Sequence, residues 1–355
     1  MNAGPEAEAD DGLTIGRIGE HIDDRFSFGR VDSDTVLRAI LARRGPDVQR
    51  EIRLEFDEKN RRGVQEFRNE GKDRAFSAGE DALARAVAFL LEIGVPHFTL
   101  LPYRYLLIVL TRVFAHHPQP DPTNARLLAR WFWRAAVLGP GIFKGGTTGA
   151  MRTLCGKVDP TNLTRSVRDL LDALEPAQPA APDLRRFRTN EAAAEITMCS
   201  WWGCRPRDPG TGLPYERGQL ADALLDRSTA ADAVRSLFPY RQPPERYRLW
   251  AANRVLMPSL AEPVDVVGGV LLQRPLDVDE QLWRQVLDSH SITPEMEVML
   301  AANQVEELLN ARQVQLAGVL ESFLKHKCEW GFENTPPLAE LVIEDLADEE
   351  GDDAA

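Results

Sequence analysis

Apolar residues recur along most of this chain at intervals of three and four, the spacing that lays them on one face of an α-helix. Val36, Leu37, Ile40 and Leu41 predict a helix over 34–43. Ser77 and Glu80 have the spacing of a capping box ahead of Leu83, Ala86, Val87, Leu90 and Leu91, with Gly94 as the stop. Pro102 suits the first turn of a helix running to about 116. Thr123 predicts the cap of a helix over 124–138, closed by Gly139-Pro140-Gly141. Leu163, Val167, Leu170, Leu171 and Leu174 predict another over 162–174. The stretch 51–74 is rich in charge and poor in periodicity, and reads as an exposed helix or loop.

Residues 175–183 hold three prolines and three alanines and cannot continue a helix, which places the main boundary there. Beyond it, helical patterns cover 192–202 and 230–237, a turn-rich stretch covers 205–214, and 264–272 is the best strand. Thr293-Pro294-Glu295 opens the last helical region, continued by Val305, Leu308, Leu309, Leu316, Val319, Leu320, Phe323 and Leu324. The expected fold is mainly α: a helical lobe over 14–175, a Pro/Ala-rich linker over 176–184, and an α-rich lobe over 185–335 with at most a small sheet. Residues 1–13 and 336–355 are expected to be disordered acidic ends.

Charge sharpens this division. The 355 residues carry 42 Lys and Arg against 55 Asp and Glu, a formal charge of −13. Four acids fall within 1–11 and eight within 336–355, with no Lys or Arg in either segment. Setting those twelve aside leaves 43 acids against 42 bases, so the body is nearly neutral and the overall acidity does not exclude a polyanionic partner. No stretch of 18 or more uncharged apolar residues occurs, and the N-terminus lacks the basic-then-apolar order of a signal peptide. Four cysteines in this length do not make a disulfide scaffold. A soluble cytoplasmic protein without a membrane partner is the expectation.

Motifs for catalysis are sparse. The glycine-rich run 139–149 contains Lys144, which could hold an anion, but the Gly-Lys-Ser/Thr order of a P-loop is absent and a helix–helix connection is the simpler reading. Cys199 and Cys204 lie too wide, and His326 and Cys328 too tight, for comfortable zinc chelation; no metal or cofactor is expected, and Cys155 stands alone. The six histidines are scattered, and no Gly-x-Ser-x-Gly or His-Glu-x-x-His motif occurs. Trp131 and Trp133 place at least one indole in a core or interface. Arg134 beside them could bind an anion or pair with another helix.

A set of blocks carries the reading further: Asp34-Thr-Val-Leu-Arg-Ala-Ile40, Ala86-Val-Ala-Phe-Leu90 with Val95-Pro96, Leu101-Pro-Tyr103, and Arg130-Trp-Phe-Trp-Arg134. Arg205-Pro-Arg-Asp-Pro-Gly-Thr-Gly212, Ala252-Asn-Arg-Val-Leu-Met-Pro258, Ser289-His-Ser-Ile292 and Arg312 follow. In this order and spacing, over roughly 14–335, they resemble the C-terminal portion of the domain-of-unknown-function 262 family, relatives of GmrSD-type modification-dependent restriction enzymes. The resemblance implies a free-standing C-terminal half, a split-gene product or a fragment. The family's N-terminal ParB/sulfiredoxin-like domain carries an Asp-Gly-Gln-Gln-Arg motif linked to nucleotide hydrolysis, and that motif is absent here.

Many members of that family also end in an HNH-type nuclease unit. Against its His-His-Ile-Phe-Pro block stands Arg235-Ser-Leu-Phe-Pro239, with Arg235 and Ser236 in the histidine positions and Asn253 matching the later asparagine. Either the unit is a degenerate HNH, or Leu-Phe-Pro is merely a helix ending. The resemblance implies a non-catalytic component of a prokaryotic restriction or anti-phage defence system, supporting a separately encoded ParB-like NTPase and contacting DNA. Arg134, Lys144, Arg254 and Arg312 are its anion-binding candidates. One alternative is a metal-dependent nuclease with a rebuilt site of Asn253, His290 and Asp288; another is a plain interaction scaffold.

Overall fold

The computed structural model describes residues 14–57, 66–67, 69–175, 177, 179–225, 229–260, 264–332 and 334. The two acidic ends, 1–13 and 336–355, lie outside them. Thirteen α-helices and one two-stranded antiparallel sheet are formed by the described residues, a mainly helical fold as the periodicity predicts. None of these helices is long and apolar enough to cross a membrane.

The first helices are set by their caps. α1 (Ile15–Phe26) starts on Thr14, whose hydroxyl accepts from the Arg17 amide. α2 (Ser33–Arg44) starts on Asp32, which accepts from both the amide and the hydroxyl of Thr35. The short α3 (Ile52–Glu55) leads towards α4 (Lys72–Ile93), which Gly94 ends at φ +103, returning its amide to the carbonyls of Leu90 and Leu91. Ser77 is therefore inside α4, six residues past the N-cap Gly71. α5 (Arg104–His116) is buried on every side from Tyr105 to Phe114, so it forms the centre, flanked by α2, α4 and α7 (Gly146–Cys155).

The cap of α6 (Pro122–Leu138) is Asp121 with Pro122 in the first turn, two residues earlier than Thr123. Both Trp131 and Trp133 are fully buried, and the Trp133 indole donates to the Ile93 carbonyl at 3.1 Å. α8 (Leu163–Asp172) completes the N-terminal helices.

Within 51–74, three glutamates depart from the exposed reading, while Glu51, Arg53, Leu54 and 71–74 keep it. Glu55, Glu66 and Glu70 turn inward onto a group of cations from α2 and α5. Arg44, fully buried, donates to Glu55 at 3.0 Å and to Glu70 at 2.9 Å. Arg112 donates to Glu66 at 2.6 Å and to the carbonyls of Ala42 and Cys155. Burial raises the Glu66 carboxyl, but hydrogen bonds from His116 and Arg112 outweigh it and bring it down to about 2. Charges on a non-periodic stretch gave no sign of their buried partners.

After the linker come α9 (Ala192–Gly203), α10 (Arg217–Ala223), β1 (Val234–Ser236), β2 (Arg254–Leu256), α11 (Glu280–Ser289), α12 (Pro294–Ala301) and α13 (Val305–Cys328). The strand expected over 264–272 is not formed. Val266 makes one parallel bridge to Ser236 and 270–272 is a 3-10 turn. Gly268 lies so close to the Leu237 carbonyl that an added Cβ would sit 2.4 Å from its oxygen, a contact that excludes other side chains. β1 instead forms at the end of the stretch read as helix over 230–237.

The apolar core does not divide at 176–184. One cluster runs from α1 through α9 and includes Leu316, Leu320, Leu324 and Cys328 from the second half of α13. A smaller cluster gathers Phe238, Val255, Met257, Trp283, Leu287 and Leu308 around the sheet and the first half of α13. α13 is thus the beam shared by both, packed on α6 and α9 at one end and on α12 at the other.

Candidate nucleic-acid interface at the two-stranded sheet

β1 and β2 pair Val234 with Leu256, Arg235 with Val255, and Ser236 with Arg254. Immediately beyond, Asn253 brackets Phe238. Its Oδ1 accepts from the Phe238 amide at 2.9 Å and its Nδ2 donates to the Phe238 carbonyl at 3.3 Å. The side chain is buried, so both ends of the amide are spent on holding the turn that follows β1.

Arg235 and Ser236 of β1 are engaged in polar contacts. Arg254 donates through Nη1 to the Ser236 hydroxyl, and burial lowers its guanidinium pKa. Arg235 donates to the carbonyls of Asp232 and Val234.

Arg312 ties this unit to the helices beneath it. Its Nη1 donates to the carbonyls of Ala252 at 2.6 Å and Arg254 at 2.8 Å, while Nη2 donates to that of His290 at 2.9 Å. Enclosure brings the Arg312 guanidinium down to about 9. His290 caps α11 and donates through Nε2 to the Arg207 carbonyl at 2.8 Å, since a carbonyl only accepts. Burial pushes its imidazole down to about 4, so it is neutral at pH 7. Asp288 faces outward and pairs with Arg284 at 2.9 Å. Asn253 and His290 are therefore linked through Arg312, while the Asp288 carboxylate belongs to a separate surface pair. Among the described residues, no group of three or more His, Cys, Asp or Glu could hold a metal.

The other two anion candidates lie elsewhere. Arg134 of α6 donates to the carbonyls of Cys328 and Glu329 and to Asn334 Oδ1, with its guanidinium over the Trp330 ring at 4.7 Å. It satisfies the end of α13. Lys144 is exposed in the loop before α7. Cys155, Cys199 and Cys328 are buried, and the Cys155 thiol is pushed up to about 12 by burial.

The feature that motif search missed surrounds the sheet. Residues 240–254 hold Arg241, Arg246, Arg248 and Arg254, interleaved with Tyr240, Tyr247 and Trp250, against the single acid Glu245. Backbone hydrogen bonds from Phe187 to Leu249 and from Ala251 to Leu184 bring the linker's end alongside. Arg185 then lies over Trp250 at 5.6 Å, and Arg248 over Tyr240 at 5.1 Å, with Tyr240 61% exposed. Arg246 is neutralised by Glu306, and Arg186 and Arg188 by Glu191. Arg185, Arg241, Arg248 and Arg254 have no carboxylate partner among the described residues. Guanidinia without acids beside an exposed aromatic ring suit a phosphate backbone and an unstacked base. The alternation of arginine with aromatics over 240–254 is the signal that could have found this face.

No family model matches the chain, and no curated protein matches it.

Proposed function

We propose that the chain is a non-catalytic, nucleic-acid-contacting component of a prokaryotic restriction or anti-phage defence system, working with a separately encoded ParB-like NTPase. The observation that carries the contacting role is the arginine face: four guanidinia without carboxylate partners among the described residues, set around Tyr240 and Trp250. The system and the partner rest on the resemblance of the sequence blocks.

The non-catalytic role is supported by how the HNH-like positions are filled. General-base hydrolysis needs an imidazole within reach of water and a metal to stabilise the leaving oxygen. Here a Ser236–Arg254 pair spans the strands, and Asn253 spends both polar atoms on Phe238. His290, whose carbonyl Arg312 ties to this unit, is buried with its Nε2–H committed to Arg207.

Purified chain is mixed with labelled plain and modified DNA, with Mg²⁺ or Mn²⁺ present. Salt-dependent binding without strand cleavage is expected. Cleavage that His290→Ala abolishes would overturn the non-catalytic reading in favour of the rebuilt nuclease. A ParB-like subunit encoded beside this chain should co-purify with it, and failure to do so removes the proposed partner.

A further inference from the structure

A groove of about 730 Å³ runs along α13 between that helix and residues 179–185. Its floor is Val314, Ala317 and Leu320, and Val314 is 74% exposed. One end lies at Trp330. The other lies at Gln313, which accepts from the Ala252 amide, next to Arg185 and the arginine face. The distance from Gln313 to Leu324 along the helix is about 17 Å at 1.5 Å per residue.

Asn334, the last described residue, is held at the Trp330 end, where Arg134 reaches both. The sequence that follows supplies Leu338, Leu341, Val342 and Leu346, then five acids from Asp348 to Asp353 with no Lys or Arg. Twelve residues separate Asn334 from Leu346, and a chain of that length covers the groove even at a helical rise. Asp183 and Glu321 border the groove together with Arg185 and Lys325, so its walls carry no net charge, and the acids after Leu346 are better placed beyond its Gln313 end, where Arg185, Arg248 and Arg254 lie.

We propose that the groove takes the chain's own 338–346 segment, and that the acids after it lie over the arginine face and compete with nucleic acid. This rests on the nucleic-acid reading above. A tethered competitor acts at about millimolar effective concentration, so it matters even when each contact is weak. Apolar contact sets the register and charge supplies the competition.

Two full-length variants test this: Leu338→Ser/Leu341→Ser/Leu346→Ser, which keeps every acid, and Val314→Glu in the groove. Each should raise affinity for a labelled oligonucleotide about tenfold at low salt, with the gain fading at high salt. Independently, p-benzoylphenylalanine at position 314 should photo-cross-link to residues 336–355 of the same chain. Equal DNA binding by all forms, without that cross-link, overturns the docking and leaves the nucleic-acid reading standing. The cross-link without DNA binding by any form keeps the docking and removes the competition together with the nucleic-acid reading. Cross-links between copies would assign the groove to a second chain and overturn the proposal.

Discussion

Arg312 of α13 holds the main-chain carbonyl of His290 through Nη2 at 2.9 Å, and its Nη1 holds the carbonyls of Ala252 and Arg254. One guanidinium therefore joins three chain segments, using planar donors that a flexible ammonium cannot reproduce. Arg312→Met keeps most of the volume and strands three acceptors. Each buried unsatisfied group costs about 1–3 kcal/mol, so a loss of about 3 kcal/mol or more is expected in urea unfolding. Arg312→Lys should recover less than half of it. An unchanged midpoint for Arg312→Met would show that these carbonyls find other donors.

Stability should peak near pH 6.5. Burial holds His97 and His290 down to about 4 from 6.5, so each binds its proton in the unfolded chain first. Stability due to them is complete above 6.5 and is lost as pH falls towards 4. Glu195 has the opposite sign. Burial raises it to about 8, so the folded chain keeps a proton that the unfolded chain has released, and stability falls as pH rises from 6.5 to 8. Between 4.5 and 6.5 the two histidines outweigh the one glutamate. Urea midpoints measured across pH 4.5–8.5 check this; Glu195→Gln should flatten the alkaline side, where the slope is about 1.4 kcal/mol per pH unit.

Helix periodicity made the mainly α fold legible, and Gly94 is the stop its position suggests. The inner role of Glu55, Glu66 and Glu70 was not legible, because they find their arginines only through tertiary packing. The strand reading over 264–272 failed on Gly268, where backbone contact with Leu237 overrides the valines. For the site, the blocks pointed to Asn253, His290 and Arg312 but not to their purpose: a catalytic polar residue and a buried strut read alike in one dimension. The arginine face depends on two backbone bonds between 184–187 and 249–251, which no local pattern announces.

Asn253→Ala removes both hydrogen bonds to Phe238 and leaves its amide and carbonyl enclosed. A loss of about 1–3 kcal/mol is expected, with β1–β2 amides exchanging faster than those of α5. Equal acceleration in both places would mean that the sheet does not open separately.

Contacts to nucleic acid should separate into charge and stacking. Arg185→Ala and Arg241→Ala each remove an exposed guanidinium, and the slope of log affinity against log salt should fall by about 0.7–0.9 per substitution. Tyr240→Ala removes an exposed ring; it should weaken single-stranded binding by about 1–3 kcal/mol and leave the slope unchanged. Arg134→Ala should do neither, because that guanidinium serves the end of α13 through Cys328 and Glu329, and its effect should appear in the unfolding midpoint. Lys144→Ala, on the loop before α7, should leave binding and stability alike. Fluorescence anisotropy over 50–300 mM salt measures all six chains, wild type included, against one oligonucleotide. A slope altered by Arg134→Ala or Lys144→Ala, and not by Arg185→Ala, would move the interface away from the sheet to the end of α13 or the glycine-rich loop.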